Sequence, residues 1–296
     1  MLNCANNHED IDFDYNNVTD GIQHACLKIL SEIHRVCVEN DIKYTLGAGT
    51  VIGYKLFSGF IPWDDDIDLL MTRDNYQKFL EIFPAKANKN FLINHYTNSE
   101  LPCHSLFAKV VDLNTTIIEN PNGAYLVRGA FIDISVLDAV PSKIFHKTAI
   151  FFGNVAYAQL YKQNNMSPNS TCKKIGISIL SNPLFYSKKD LIYKKYESFC
   201  KNLSEYNFSK YAELMVKNFW KSTYDANLFD EYIEIQFENV TTFLIKRYDE
   251  FLIQKYNKND FVRNLPREKR DAQHSVFFSD TISFKDFDLD SYLKNI

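Results

Sequence analysis

GAGTVIGYKLFSGFIPWDDDIDLL, residues 47 to 70, is the stretch of the chain that decides the fold. Four of the nine glycines of the chain fall within its first thirteen residues. Three consecutive aspartates, Asp64 to Asp66, follow them and are followed in turn by Ile67 and Asp68. Because successive side chains of a strand point to opposite faces, we expect Asp64, Asp66 and Asp68 to share one face.

The carboxylates of this run predict a cation site. Like charges so close together repel and raise each other's pKa unless a positive group lies between them. Mg²⁺ is typically held by one or two carboxylates together with substrate phosphates, which fits Asp66 and Asp68. A solvated turn would leave the apolar residues around the run unexplained. An EF-hand loop starting at Asp64 is excluded, because its sixth residue is Leu69 rather than Gly and its twelfth is Asn75 rather than Glu.

The glycines before the aspartates predict an anion site. Residues 44–46 are typical of a short strand, 47–49 of a tight turn, and 50–56 of the first turns of a helix. Such a turn lets backbone N–H groups approach an anion, and the helix N-terminus adds partial positive charge. We therefore expect phosphates to bind at Gly49 and Thr50. Neither a Walker motif nor a full Rossmann fingerprint is present.

A third carboxylate and a lysine lie on later predicted strands. Asp133 interrupts the apolar centre of residues 128–136, where an unpaired carboxylate would cost several kcal/mol, so we expect it to join the same metal site. Lys109 lies among apolar neighbours in residues 105–112. A lysine in such a position is typical of a sheet edge or of a side chain that reaches the surface.

Several motifs together resemble the LicD family. The segments 49–53 and 59–68 match its central glycine and aspartate block. Residues 131–134, together with 137–141, resemble its second acidic strand, and LPREKR at 265–270, with His274, resembles its C-terminal signature. The resemblance extends from about residue 20 to 275, nearly the whole chain.

This resemblance implies a fold, a reaction and a set of site residues. The family transfers phosphocholine or a related phospho-substituent onto glycans and includes the fukutin-related ribitol-phosphate transferases. A CDP-linked donor such as CDP-choline, a glycan or glycolipid acceptor of lipopolysaccharide or capsule, and Mg²⁺ or Mn²⁺ are implied. Asp66, Asp68 and Asp133 then form the metal-binding and catalytic triad of a nucleotidyltransferase fold. Lys109 faces the donor phosphates, and Arg270 and His274 stabilise the leaving nucleotide or close the site.

Composition narrows the function classes and the location. The net charge of −4 argues against a general nucleic-acid binder, which would show a basic stripe. Six cysteines without a C-x-x-C pair favour reduced thiols in a cytosolic protein. The polar N-terminus is not typical of a secretory signal, and the most apolar short run, 175–180, is too short to span a bilayer. We expect a cytoplasmic protein, with peripheral membrane contact as a further expectation.

Periodicity predicts an α+β protein. We expect a nucleotidyltransferase-like mixed β-sheet with flanking helices in a catalytic core over residues 1–142. Residues 143–296 are expected to form a mainly helical region whose C-terminal segment folds back on the active site. The predicted helices are 18–40, 74–83, 145–161, 188–203 and 243–256, and the predicted strands include 90–96, 105–112 and 128–136.

Two other functions share parts of this pattern. A glycosyltransferase that holds a sugar nucleotide through Asp-x-Asp and Mn²⁺ needs Asp66 and Asp68, but not the glycine turn or Asp133. A nucleotide-binding protein without catalysis would bind nucleotide and show no metal-dependent turnover.

Overall fold

A computed structural model describes residues 15–97, 101, 105–119, 125–141, 189–214, 222–256 and 275–294. Its helices and strands alternate along the chain in an α+β arrangement, as expected from the periodicity. The helices are α1 (Tyr15–Glu39), α2 (Ala48–Phe57), α3 (Arg73–Lys86), α4 (Lys189–Asn202), α5 (Tyr248–Tyr256) and α6 (Leu289–Lys294). The strands are β1 (Thr45–Leu46), β2 (Asp68–Thr72), β3 (Phe91–Asn94), β4 (Ala108–Asp112), β5 (Thr116–Glu119), β6 (Leu126–Arg128), β7 (Phe131–Ala139), β8 (Lys210–Ala212), β9 (Thr223–Asp225), β10 (Tyr232–Phe237), β11 (Val240–Ile245) and β12 (Ser275–Ser279).

Among the described residues, one mixed sheet of seven strands forms the centre of the fold. Its strand order is β1-β2-β7-β4-β3, with β8 pairing with β7 and with β9. The pairing of β2 with β7 is parallel, and the other pairings are antiparallel. A three-stranded sheet, β12-β5-β6, and the hairpin β10-β11 complete the β-structure.

The central strands are buried on both faces except near their first residues. In β7, every residue from Ile134 to Ala139 is buried, while Phe131 and Asp133 are half-buried. In β2, the three residues after Asp68 are buried, and Asp68 is half-buried. The two carboxylates therefore lie where one face of the sheet opens.

The first helix covers the sheet with the predicted stripe. Helix α1 buries a set of apolar side chains at helical spacing and contacts β7, β11 and β12. These side chains are Ile22, Cys26, Ile29, Leu30, Ile33 and Cys37. The predicted helices 18–40, 74–83 and 188–203 are confirmed within a few residues at their ends.

The C-terminal part contains more β-structure than we predicted. The described residues beyond 142 include five strands, β8 to β12, as well as helices. The predicted helix 243–256 is wrong over its first residues, because Val240–Ile245 is a strand of the β10-β11 hairpin and the helix begins at Tyr248. The predicted helix 145–161 lies outside the described residues.

Strands from both sides of residue 142 pair with one another. Strand β8 extends the central sheet beside the end of β7, and β12 pairs with β5. The division into 1–142 and 143–296 stays a prediction about the chain. The structure adds that backbone hydrogen bonds cross this boundary in these two pairings and elsewhere among the described residues, as from the Glu238 amide to the Ser58 carbonyl at 2.9 Å.

A buried ion pair joins the end of β7 to the start of α3. Arg73 donates to both carboxylate oxygens of Asp138, with N···O distances of 2.7 and 2.8 Å. The Arg73 side chain is 3% exposed and that of Asp138 is 0% exposed. Arg73 also donates to Glu197 of α4 at 3.2 Å, so one guanidinium joins a helix, the sheet and a C-terminal helix.

We expect Arg73→Met to lower the free energy of unfolding by about 3–5 kcal/mol, because it leaves the Asp138 carboxylate buried and unpaired. Urea denaturation measures the change. The double variant Arg73→Met/Asp138→Leu removes both charges and should recover most of the loss. A double variant that loses at least the sum of the single losses would contradict this account.

Candidate active site

A row of polar residues crosses the sheet on its open face. Asp68 of β2 is in register with Asp133 of β7, which is in register with Lys109 of β4. Lys109 is in turn in register with Asn94 of β3. Register partners on adjacent strands project from the same face, so these four side chains form one line. The Gly47 amide donates to the Asp68 carbonyl at 2.8 Å, which brings the glycine turn to the end of the row.

The predicted alternation holds from Asp66 to Leu69 but is wrong for Asp65, which lines one cavity together with Asp66, because residues 64–67 precede strand β2. Ile67 and Leu69 are fully buried, Asp68 is half-buried and Asp66 is exposed to solvent. The Ile67 carbonyl accepts a hydrogen bond from the Asp133 amide at 3.1 Å, which extends the pairing with β7 by one residue. Asp66 and Asp68 therefore flank a residue that the core fixes in place.

Burial and mutual repulsion raise the pKa values of the two aspartates. The pKa of Asp68 rises from an ordinary value of 3.8 to about 7, first because protein atoms replace water around it and then because of the charge of Asp133. The pKa of Asp66 rises well above its usual range for the same first reason, with the charges of Asp68, Asp64 and Asp133 adding to the effect. Water still reaches Asp66, so it stays open to a ligand. The charges of neighbouring carboxylates therefore add to the effect of burial and oppose ionisation of Asp66 and Asp68.

The glycine turn positions β2 through the first turn of α2. Gly47 is the extended residue before the helix, and Ala48 has a left-handed backbone with φ of 40°. The Thr50 hydroxyl accepts a hydrogen bond from the Asp68 amide at 2.9 Å, and Thr50 is buried. A Cβ at Gly49 would lie 3.2 Å from Asp64 Oδ2, so a carboxylate stands at the turn. The structure thus places Gly49 and Thr50 beside the aspartates.

Lys109 lies beside Asp133 on an inner strand of the sheet, and its contact with donor phosphates stays a prediction. Its ammonium forms an ion pair with Asp133, and the two side chains are only 11% and 19% exposed. The same ammonium lies 3.9 Å from the centre of the Phe131 ring and 5.5 Å from that of Phe107, within cation–π range. Lys109 is therefore neither an edge residue nor a side chain that reaches into bulk solvent.

A cavity of about 230 Å³ opens between the row and the three-stranded sheet. Arg128 and Glu119 form an ion pair on its far wall, and the Arg128 guanidinium carbon lies 4.1 Å from the Phe131 ring centre. Ser275 of β12 donates to Asp65 Oδ2 at 2.8 Å. The lining residues are Asp65, Asp66, Lys109, Ile117, Glu119, Arg128, Phe131, Asp133 and Ser275.

The C-terminal part contributes a second charged cluster that sequence reasoning missed. Lys255 donates to Glu213 Oε1 and to the Ser222 hydroxyl, both at 2.8 Å, and the Tyr224 hydroxyl donates to Glu213 at 2.5 Å. The charges of Glu213 and Lys255 act on the pKa of Asp68 in opposite directions. Because these residues lie more than 140 positions from Asp68 in sequence, no local pattern could have indicated their approach.

Arg270 and His274 lie outside the described residues. Ser275, the residue after His274, contacts Asp65 directly. Their predicted contact with the leaving nucleotide stays a prediction.

The carboxylates are chemically suited to bind a divalent cation, but their side chains are not arranged as a metal-binding site. Oxygen ligands from aspartates are what Mg²⁺ and Mn²⁺ prefer. Within the described parts of the chain, however, no group of three or more His, Cys, Asp or Glu side chains is arranged so that it could hold a metal ion. The ion pair with Lys109 occupies one of the three predicted ligands, Asp133.

None of the helices that the structure describes combines the length and the apolar character that crossing a membrane requires.

Comparisons with known proteins match this region. Residues 41–117 match the family model described as LicD/FKTN/FKRP, nucleotidyltransferase domain. The chain is 27% identical over 266 residues to the lipopolysaccharide cholinephosphotransferase LicD of Haemophilus influenzae, covering 85% of this chain and 94% of that protein. An uncharacterized protein of Rickettsia typhi is 29% identical over 68 residues, which is 23% of this chain and 22% of that protein.

One solved structure is similar over part of the chain. A GTP pyrophosphokinase family protein from Streptococcus pneumoniae is 10% identical, covers 65% of this chain and 95% of its own, and has a TM-score of 0.24. At that TM-score the likeness does not establish a shared fold.

We expect Gly53→Ala to lower the free energy of unfolding by about 1–3 kcal/mol, because the added methyl group meets backbone rather than a movable side chain. A Cβ at Gly53 would lie 2.5 Å from the Gly59 carbonyl oxygen and 2.9 Å from the Ile61 nitrogen. Thermal unfolding measures the loss. Gly49→Ala is the matched control in the same helix, since a Cβ there would meet only the end of the Asp64 side chain, at 3.2 Å. Equal losses in the two variants would count against this explanation.

We expect Asp68→Asn to stabilise the metal-free protein at pH 8 by about 1–3 kcal/mol. The pKa of Asp68 is about 7 in the folded protein and ordinarily 3.8, so the unfolded chain releases this proton first. Stability therefore falls as pH rises from about 4 to 7 and stays lower above it. Asn cannot ionise and removes this loss.

Urea denaturation in EDTA at pH 8 and pH 4 measures the difference, which should shrink at the lower pH. Asp41→Asn is the control, because the Asp41 side chain is 85% exposed. An Asp68→Asn protein that is less stable than the wild type at pH 8 would contradict the prediction.

Proposed function

We propose that this chain, which is similar to a LicD protein over most of its length, transfers a phosphocholine-like substituted phosphate from a CDP-linked donor to a hydroxyl of a cell-surface glycan. The observation that carries the proposal is the register of Asp68 with Asp133 beside the glycine turn. Both the identity over 85% of the chain and the matched domain support the reaction class. The name of the Haemophilus relative supports phosphocholine as the transferred group and lipopolysaccharide as the acceptor.

The proposed reaction breaks the phosphoanhydride bond of the donor and forms a phosphodiester with the acceptor. The acceptor oxygen forms a bond to the phosphorus that carries choline, while the bond from that phosphorus to the bridging oxygen breaks. CMP leaves, and the acceptor proton goes to a carboxylate of the site. Asp133 and Asp64 are our candidates for that general base.

We propose that Asp66, Asp68 and Asp133 hold Mg²⁺ or Mn²⁺. When bound, this ion would neutralise the phosphate oxygens and assist in-line displacement. The chain's own residues do the rest of the positioning. The amides of the turn at Gly49 and Thr50 lie at the start of α2, where an anion is favoured, and Lys109 supplies a positive charge on the other side of the carboxylates.

The proposed donor and acceptor have consequences for the fold, the location and the partners of the protein. A nucleotidyltransferase-like fold, a cytoplasmic location and peripheral contact with a membrane that carries the glycolipid acceptor are parts of the proposal. Nucleic acid is not among the proposed partners, given the net charge of −4. We also propose that Arg270 and His274 contact the leaving nucleotide.

The two alternative functions differ from this proposal in a product or in turnover. A sugar-nucleotide glycosyltransferase has no need for Asp133 in register with Asp68, whereas phosphoryl transfer by a carboxylate triad does. A protein that only binds nucleotide would release no CMP.

We expect the purified chain to release CMP from CDP-choline and to label lipopolysaccharide from a strain that lacks phosphocholine transfer. EDTA should stop the reaction and Mg²⁺ should restore it. Asp66→Asn and Asp68→Asn should each lower the rate by about 100-fold or more without lowering the melting temperature. The exposed Asp41→Asn control should keep full activity.

Phosphorus NMR of the product distinguishes the outcomes. A new phosphodiester signal supports the proposal, and a glycosidic product from a sugar nucleotide supports the glycosyltransferase. Full activity of either aspartate variant, or activity that EDTA leaves unchanged, would contradict the metal role.

A further inference from the structure

We propose that Lys109 is an internal counter-cation, which binds Asp133 when no divalent ion is present and releases it when one binds. This inference rests on the proposed function, because it assumes a divalent cation at Asp66 and Asp68. It adds a role for Lys109 that neither the family match nor the relatives' names assign.

The geometry places Lys109 in line with two carboxylates, Asp68 and Asp133. Asp68, Asp133 and Lys109 are register partners on three adjacent strands, so their side chains share one face of a rigid sheet. The Lys109 ammonium forms an ion pair with Asp133 itself. With both side chains at most 19% exposed, water has limited access to the pair. The ammonium therefore holds the position from which Asp133 would contact a cation shared with Asp68.

Two aromatic rings hold the ammonium at this place. Lys109 Nζ lies 3.9 Å from the Phe131 ring centre and 5.5 Å from the Phe107 ring centre. Cation–π contacts of this kind favour a desolvated ammonium. Phe131 lies two residues before Asp133 on β7, so the same strand carries the carboxylate and the ring. The ammonium can stay on the ring after its carboxylate turns away.

The ion pair between Lys109 and Asp133 explains why the described carboxylates form no metal-binding group. The Asp133 carboxylate cannot form its ion pair with Lys109 and coordinate a divalent cation through the same oxygen without weakening one of the two interactions. Among the described residues, no three His, Cys, Asp or Glu side chains are arranged to hold a metal ion, and Asp133 is paired with Lys109. A divalent cation must therefore displace the ammonium from Asp133 before all three aspartates can act together.

Displacement makes a positive charge available to the donor. The released ammonium lies in the same cavity as Asp66 and Asp133, where it can pair with a phosphate oxygen of the donor. Binding of the divalent cation should thus strengthen binding of the donor phosphates, and the donor should strengthen cation binding equally.

The test is Mn²⁺ binding to the full chain without donor, followed by electron paramagnetic resonance. We expect Lys109→Met to tighten Mn²⁺ binding about tenfold, because the competing ion pair is gone. Lys109→Arg keeps the charge and should bind Mn²⁺ as the wild type does. Lys109→Gln, which keeps a polar side chain of similar length, repeats the test if the Met variant does not fold.

Arg128→Met is the matched control for a general charge effect. Arg128 lines the same cavity and contacts the same Phe131 ring, but its ion pair is with Glu119 rather than Asp133. Its loss should tighten Mn²⁺ binding by less than about threefold at 0.15 M salt, where charges of accessible groups are screened. A change in Lys109→Met no larger than that in Arg128→Met would overturn the proposal.

Asp68→Asn separates failure of this inference from failure of the proposed function. If Asp68→Asn abolishes Mn²⁺ binding while Lys109→Met leaves it unchanged, the proposed role of Lys109 is wrong and the proposed metal site stands. If neither the wild type nor Lys109→Met binds Mn²⁺, the proposed metal site and this inference are both wrong. The same conclusion follows if Asp68→Asn leaves Mn²⁺ binding unchanged.

Discussion

The parallel pairing of β2 with β7 is the constraint on which the site depends. It sets Asp68 opposite Asp133 on one face, near the start of both strands, where the sheet is no longer buried on both faces. Parallel strands need a long connection between them, and here the connection contains α3 and strands β3 to β6. That connection also contains Lys109 and residues of the cavity wall. The parallel pairing therefore brings the aspartates, Lys109, Arg128 and the Phe131 ring together from distant parts of the chain.

The rest of the structure keeps this pairing in place despite its charges. Burial and neighbouring negative charges oppose the ionisation of Asp66 and Asp68, which costs stability that other contacts must offset. At the far end of β7, the Arg73–Asp138 pair ties the strand to α3. On the other side, the Glu238 carboxylate accepts from the Phe60 amide at 3.1 Å, so the β10-β11 turn holds the loop that leads into the aspartates.

Local patterns were enough to predict the parts of the site that lie within one stretch. The glycine turn, the alternation about Ile67 and the isolated Asp133 all reflect rules of strand and turn geometry. The hairpin β10-β11 was missed, although Ile233, Ile235 and Phe237 alternate with polar residues as a strand requires. The apolar run that ends β11 continues into α5 with only a short break, which favoured a single helix.

The remaining contacts are set by tertiary packing and leave no mark on local sequence. Lys255 and Glu213 reach Asp68 through pairing of β8 with β7, and Arg128 reaches Glu119 through pairing of β5 with β6. Only the register shows that Lys109 and Asp133 are partners. A sequence pattern can therefore name the charged residues of this site more readily than it can say which of them neutralise one another.

Anomalous diffraction from crystals grown with Mn²⁺ and CDP would locate a divalent cation in the site. We expect one manganese peak within coordination distance of Asp66, Asp68 and Asp133, next to a CDP phosphate at the 47–49 turn. A peak at any other place, or no peak with Asp133 still bound to Lys109 at saturating Mn²⁺, would contradict this expectation.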